Sequence, residues 1–168
     1  MYRKLKDFIN DWASESEFTL NIFSNLTDES LNKNVGDNVR TAGRLAWHIT
    51  GAISELGHRM GLTFSKIDQD SQNPSSAKEI VDEYKQASDG LIKEIQAKWN
   101  NDTLLLEDVT VGPGEIWSRG KTLGALVTHQ IHHRGQLTVV MRLNGLKVPG
   151  IYGPAREEWA QMGKPAQE

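Results

Sequence analysis

The sequence predicts an all-α protein: a four-helix bundle with a short irregular or hairpin insertion between helices three and four and a short C-terminal helix. Two observations carry this. Four stretches repeat apolar residues every three or four positions, the period at which a helix buries one face and wets the other. Clusters of Gly, Pro, Ser, Asn and Asp fall between those stretches and punctuate them. At 168 residues the chain is long enough for one substantial core and short for two, so a single domain over residues 1–168 is expected. No internal repeat or low-complexity segment breaks this picture.

The first stripe is Leu5, Phe8, Ile9 and Trp12, then Phe18, Ile22, Phe23 and Leu26. It predicts a helix of about six turns from Leu5 to about Leu26. Leu26 to Ser30 ends it or begins a short turn, and Asn32 to Asn38, with Gly36, reads as loop. Thr41 is a plausible N-cap for the second helix, whose stripe is Leu45, His48, Ile49, Ala52, Ile53, Leu56 and Met60. Gly61 is its C-terminal stop. Leu62 to Ser75 is polar, holds Pro74, and reads as a surface connection. Ser75 or Ser76 then caps a third helix running to about Trp99 through Ile80, Tyr84, Ala87, Leu91 and Ile95.

Asn100 to Gly120 loses the helical period. Leu104-Leu105-Leu106 and Val109-Thr110-Val111 suit short strands or hairpin arms, and Gly112-Pro113-Gly114 turns the chain. Trp117 is expected to pack over one end of the bundle. Thr122 can cap the fourth helix, which runs to about Asn144 before Gly145. A rigid Pro149–Pro154 loop and a short helix around Ala155 to Met162 complete the reading.

The formal net charge is −3, with both signs mixed along the chain. No basic block is present to neutralise a run of phosphates, which argues against a nucleic-acid binder. The chain has no cysteine, so disulfides, thiolate metal sites and a cysteine nucleophile are excluded. No stretch reads as a signal peptide or a membrane span, and a soluble cytoplasmic protein is expected. The charge runs around Glu15-Ser16-Glu17 and from Lys78 to Lys85 read as solvated helix faces.

The chemistry lies in the histidines. His129 and His133 are four apart on the inward face of the fourth helix, one turn from each other. Side chains at that spacing stand roughly 5–6 Å apart at Cβ and can share one ion. His48 sits in the stripe of the second helix, so adjacent helices would bring three imidazoles together. Three neutral imidazoles without a carboxylate suit zinc, nickel, copper or iron, and not calcium or magnesium. They leave a coordination position open for water, a thiol or a carbonyl oxygen. The bland reading stays beside this one: three hydrogen-bonded core histidines with no ion.

Other residues near the pair divide the same way. His132 is an outer partner, a proton carrier or a plain polar residue, and His58 reads as surface. Glu55 shares the face of His48 and is either a general base or a salt-bridged glutamate. Arg134 and Gln136 either bind a substrate or tie the fourth helix to a neighbour. Gly135 in mid-helix costs about 1 kcal/mol relative to alanine and suggests a close approach by another backbone or a ligand. Trp47, beside His48, could line a pocket mouth.

The run His129-Gln130-Ile131-His132-His133-Arg134-Gly135-Gln136, continued by Arg142-Leu143-Asn144-Gly145-Leu146-Lys147-Val148-Pro149-Gly150, resembles the end of the DinB/YfiT-like proteins. Arg44-Leu45-Ala46-Trp47-His48-Ile49 resembles their first-histidine helix, and Ile151-Tyr152-Gly153-Pro154 with Glu158-Trp159 also fits. The resemblance covers the whole chain in order. It implies a four-helix bundle, commonly a homodimer, with a divalent metal, zinc or nickel, on His48, His129 and His133. It implies a metal-dependent enzyme acting on a small molecule in stress response or detoxification. The reaction is either hydrolysis or transfer of a low-molecular-weight thiol, such as bacillithiol or mycothiol, used as cosubstrate. The absence of an unmistakable general base favours the thiol version. The alternative is a non-catalytic metal- or ligand-binding bundle. The resemblance assigns no catalytic side chain beyond the ligands.

Overall fold

The computed structural model describes residues 1–99 and 101–166, and four long helices carry its core. They are α1 (Leu5–Phe23), α3 (Ala42–Arg59), α4 (Ala77–Lys98) and α5 (Arg119–Leu143), with a one-turn helix α2 (Asp28–Leu31) after α1. Helix α3 packs on α4 and α5, and α1 packs on the same two, so the helices close around one apolar interior. The predicted stripes fill it: Phe8, Trp12, Ile22, Phe23, Ile53 and Leu91 are each at most 1% exposed. The fold is therefore mostly helical, as expected. Asn100, which the sequence places in the irregular segment, and Gln167 and Glu168, at the end of the expected domain, lie outside the described residues.

Several boundaries differ from the expected ones. Helix α1 stops at Phe23, and Ser24 to Leu26 continue as turns. Helix α5 begins at Arg119 with Ser118 as its cap, the Ser118 hydroxyl accepting from the Lys121 amide. Thr122 is already one turn inside, and its hydroxyl donates to the Ser118 carbonyl. At α4 the cap comes from elsewhere. Ser76 makes no side-chain cap, while Asp28 Oδ1 accepts from the Ala77 amide at 2.7 Å. A carboxylate at a helix N-terminus satisfies a free N–H and meets the positive end of the dipole. The Thr41 cap is as expected, its hydroxyl accepting from Arg44 N, and Gly61 follows α3 with φ +81.

The excursion before α5 is half helical. The Leu104-Leu105-Leu106 run lies in a single 3-10 turn, Asp102–Leu106, because only Leu105 is buried and the run has no partner strand. Strands β1 (Asp108–Gly112) and β2 (Glu115–Ser118) pair antiparallel through the Gly112–Gly114 turn. They form the one sheet among the described residues. The C-terminal helix is replaced by two short 3-10 turns, Arg156–Glu158 and Ala160–Met162.

The connection after α3 is not merely a surface loop. Leu62 and Ile67 are buried, Ser54 Oγ donates to the Ser65 carbonyl and accepts from the Ile67 amide, and the Trp47 indole N–H donates to the Asp68 carbonyl at 3.1 Å. Gly51 permits this, because a Cβ there would lie 2.7 Å from Gln69 Cα. The loop is thus strapped along α3, with Gln69 brought to the flank of His48.

Candidate metal centre

Helix α3 supplies His48 and helix α5 supplies His129 and His133. The apolar residues around them, Leu45 and Ile49 on α3 and Leu126, Leu137 and Val140 on α5, are buried and dock the two helices. The docking brings the three rings together. Centroid separations are 5.0 Å for His48–His129, 4.6 Å for His48–His133 and 4.5 Å for His129–His133. One nitrogen from each ring lies within 4.8 Å of the other two. All three rings are half-buried.

The cluster is electrostatically poor in protons. Burial, then the neighbouring His133 and the guanidinium groups of Arg40 and Arg44, push His48 down to about 4. Burial and the other three imidazoles push His129 down to about 4 as well. Burial also lowers His133, against an opposing hydrogen bond from Gln136. Near neutral pH the rings are therefore neutral, each with a nitrogen lone pair to donate.

The environment of each ring fits a ligand. His133 Nδ1 stands 2.8 Å from Gln136 Oε1. An amide oxygen only accepts, so Nδ1 carries the proton and Nε2 is left with the lone pair. Gln136 Nε2 in turn donates to His132 Nε2 at 3.2 Å. The buried Nδ1 of His129 has no hydrogen-bond partner among the described residues. An imidazole nitrogen left that way costs free energy that coordination or a further partner would recover. The donor set holds no thiolate and no carboxylate, so it suits a first-row transition ion.

A cavity of about 240 Å³ opens beside His48 and His129. Its walls come from α3, with Glu55, from α5, with Ala125, from Gln69 of the strapped loop, and from Val111, Glu115 and Trp117 of the hairpin. Trp117 therefore faces the cluster's cavity, with Lys121 stacked on its ring at 4.1 Å. Glu55 is fully engaged. Its Oε1 accepts from Arg59 and its Oε2 from Gln69. On the other side of the cluster, His133 and Gln136 border a groove of about 560 Å³ beneath Arg40.

The remaining candidates fall away from the site. Arg134 is 1% exposed and points to α1, where it pairs with Glu15 at 2.6 Å and donates to Thr19 and to the Glu15 carbonyl. Tyr152 closes the group by donating to the same carboxylate at 2.7 Å; burial and Glu15 raise its hydroxyl to about 12, so it stays protonated. Glu15 is thus no solvated charge: it is 9% exposed and answers a buried arginine. Nothing lies within 4 Å of a Cβ placed on Gly135, so no backbone approaches there. His58 is half-buried, stacked on Phe64 and donating to its carbonyl. Trp47 holds the loop instead of lining the cavity.

Gln69, the hairpin wall and Arg40 are the site residues that sequence reasoning missed. Gln69 and Arg40 reach the cluster from loops, where no periodicity reports direction, and the two hairpin strands are too short for alternation to report it either. Gly51 in the middle of a strong helical stripe was the one usable signal, marking where the strapped loop crosses.

Comparison with known proteins agrees with this architecture. The DinB family model matches residues 1–168. A Bacillus subtilis (strain 168) relative, the uncharacterized protein YrdA, is 40% identical over 163 residues, covering 97% of this chain and 96% of its own. The crystal structure of a DinB-like protein from Bacillus cereus ATCC 10987 superposes with TM-score 0.84 at 37% identity, covering 90% of this chain and all of that one. A DinB-like protein from Bacillus subtilis, YjoA, shares the fold at TM-score 0.67 and 15% identity, over 86% of this chain and 97% of its own. No helix among the described residues is long and apolar enough to cross a membrane.

Proposed function

The chain belongs to the DinB family, and from that premise we propose that it is a metal-dependent enzyme with His48, His129 and His133 as ligands. The ion is a divalent transition metal, zinc or nickel, and the reaction is thiol-dependent S-transfer to a small electrophilic molecule. One observation carries the reading: three imidazole nitrogens from two helices, within 4.8 Å of one another, beside an open cavity. When bound, the ion supplies a Lewis acid that lowers the pKa of a coordinated thiol or water.

The chain's own residues do the rest. Gln136 fixes the His133 ring so that Nε2 faces away from its hydrogen bond. Val111 and Trp117 of the hairpin and Gln69 of the loop narrow the cavity and limit water. Glu55 has both carboxylate oxygens occupied, by Arg59 and by Gln69. A thiol is a far stronger acid than water, so at the same ion it ionises with less help from a base than water does. That supports S-transfer over hydrolysis. We take the active form to be a single-domain chain assembled as a homodimer.

The test is a thiol-consumption assay with electrophilic test substrates, run beside an esterase and amidase panel on zinc- and nickel-loaded protein. Metal-dependent thiol transfer, lost in His129→Ala, is the expected result. Metal-dependent ester or amide hydrolysis would replace the transferase by the hydrolase. Metal bound without turnover in either assay would reduce the protein to a metal- or ligand-binding bundle.

A further inference from the structure

The groove on the far side of the cluster from the hairpin has a composition of its own. Its floor and walls are Val39, Leu45, Val139, Val140 and Leu143, and His133 stands at its inner end. Val39 is 45% exposed, and Val139 and Leu143 are each 59% exposed. These are three of the large apolar side chains that the fold leaves in water, gathered in one place. At its rim stands Arg40, also exposed. Arg40 makes no ion pair or hydrogen bond within the described residues. No carboxylate lines the groove. The preceding Asn38 also lines it and holds φ +65, a conformation uncommon outside glycine that fixes the turn presenting Val39 and Arg40.

We infer that this groove binds the substrate's body, and that the substrate is an amphipathic anion: an apolar chain or ring along Val39, Val139 and Leu143, with a carboxylate or similar anion on Arg40. The argument is one of complementarity. Apolar surface at the groove is recovered by an apolar ligand. An unpaired guanidinium offers bidentate donors to a planar anion. The groove is continuous with the cluster through His133, so such a ligand lies with one end at the ion. The opposite cavity contrasts with it: Glu55 and Glu115 line that side and would repel the same anion. This assignment deepens the metal reading and rests on it for the reaction, but the binding it predicts does not require turnover.

The probe is octanoate, with octan-1-ol as the neutral control, titrated by calorimetry and amide NMR into full-length protein with and without zinc. Metal content is measured on every sample. Octanoate is expected to bind both forms and to shift the amides of Val39, Val139 and Leu143. Arg40→Gln should weaken octanoate by about tenfold, the loss of one charge-assisted contact, and leave octanol unchanged. Val139→Glu, a substitution at an exposed site, should abolish binding of both. Zinc binding without octanoate binding overturns the groove assignment alone. Octanoate affinity that depends on zinc but not on Arg40 also overturns it, since the carboxylate would then sit at the ion. Octanoate binding as expected without any zinc binding sustains the groove and sinks the metal enzyme. If octanoate does not bind and Val139→Glu dissociates a dimer, the groove belongs to a second copy of the chain and the proposal fails.

Discussion

Gln136 is the side chain on which the orientation of His133 turns. Its amide holds His133 through Nδ1 and reaches His132 with its nitrogen. Gln136→Leu removes the acceptor while keeping the helix, and metal affinity should fall about 10- to 100-fold, as expected for loss of an outer partner. Competition titration with a chromophoric chelator reads this directly. Unchanged affinity would mean the ring is positioned by packing alone. His129→Ala should instead remove binding altogether, because two imidazoles remain. At this scale the His129–His133 pair was legible from spacing, since a four-residue interval on a helix dictates direction, whereas His48 joins them only through the packing of α3 on α5. The roles of Arg134 and Gln136 were not. The two side chains are two positions apart on α5, so one points to α1 and the other to solvent beside the cluster.

Helix α5 is tied to α1 and to the C-terminal segment by a buried polar group. Arg134, Glu15, Thr19 and Tyr152 form one connected set, and Gln130 extends it to the Tyr84 hydroxyl on α4 at 2.6 Å. Arg134→Met leaves Glu15 without its cation in a dry site. Breaking one partner of such a pair costs about 3–5 kcal/mol, or a fall in Tm of about 10 °C for a chain this size. Thermal unfolding measures it. The double variant Glu15→Leu with Arg134→Met should recover most of the loss, which a purely steric role would not allow. Local pattern located the helices but not these links. Glu15 reads as surface because its sequence neighbours are polar, and its partner lies 119 positions away. Asp28, which caps α4 from 49 positions upstream, was hidden for the same reason. The Leu104 run misled differently, since three adjacent leucines carry no period to separate a strand from a 3-10 turn.

For the molecule as a whole, an ion held by the three histidines would compete with protons for the same nitrogens. The unfolded chain protonates His48 and His129 near 6.5, whereas the folded protein holds both near 4. Between those values the unfolded state binds more protons, so stability rises with pH. The metal-free protein should therefore lose stability as pH falls from about 6.5 towards about 4, with these histidines contributing nothing further below that. Melting temperatures across that window test the sign. A flat profile would place the rings in water. Zinc at a thousandfold excess over its dissociation constant should add about 4 kcal/mol at neutral pH. That gain should vanish with EDTA and shrink in acid, as protons displace the ion. The overall helical architecture was readable because three amphipathic stripes and a fourth helical run, whose buried face also carries Gln130 and Arg134, leave few ways to bury themselves. The cavity walls were not, because they are built by a strapped loop and a hairpin whose contacts are long-range.

Metal content of the untagged protein by plasma mass spectrometry, wild type beside His133→Ala, is the most direct test of the three-histidine site. About one equivalent of zinc or nickel in the wild type, absent from a folded His133→Ala variant, is the predicted result. No bound metal in a folded wild type after reconstitution would contradict it and leave the histidines as packed core residues.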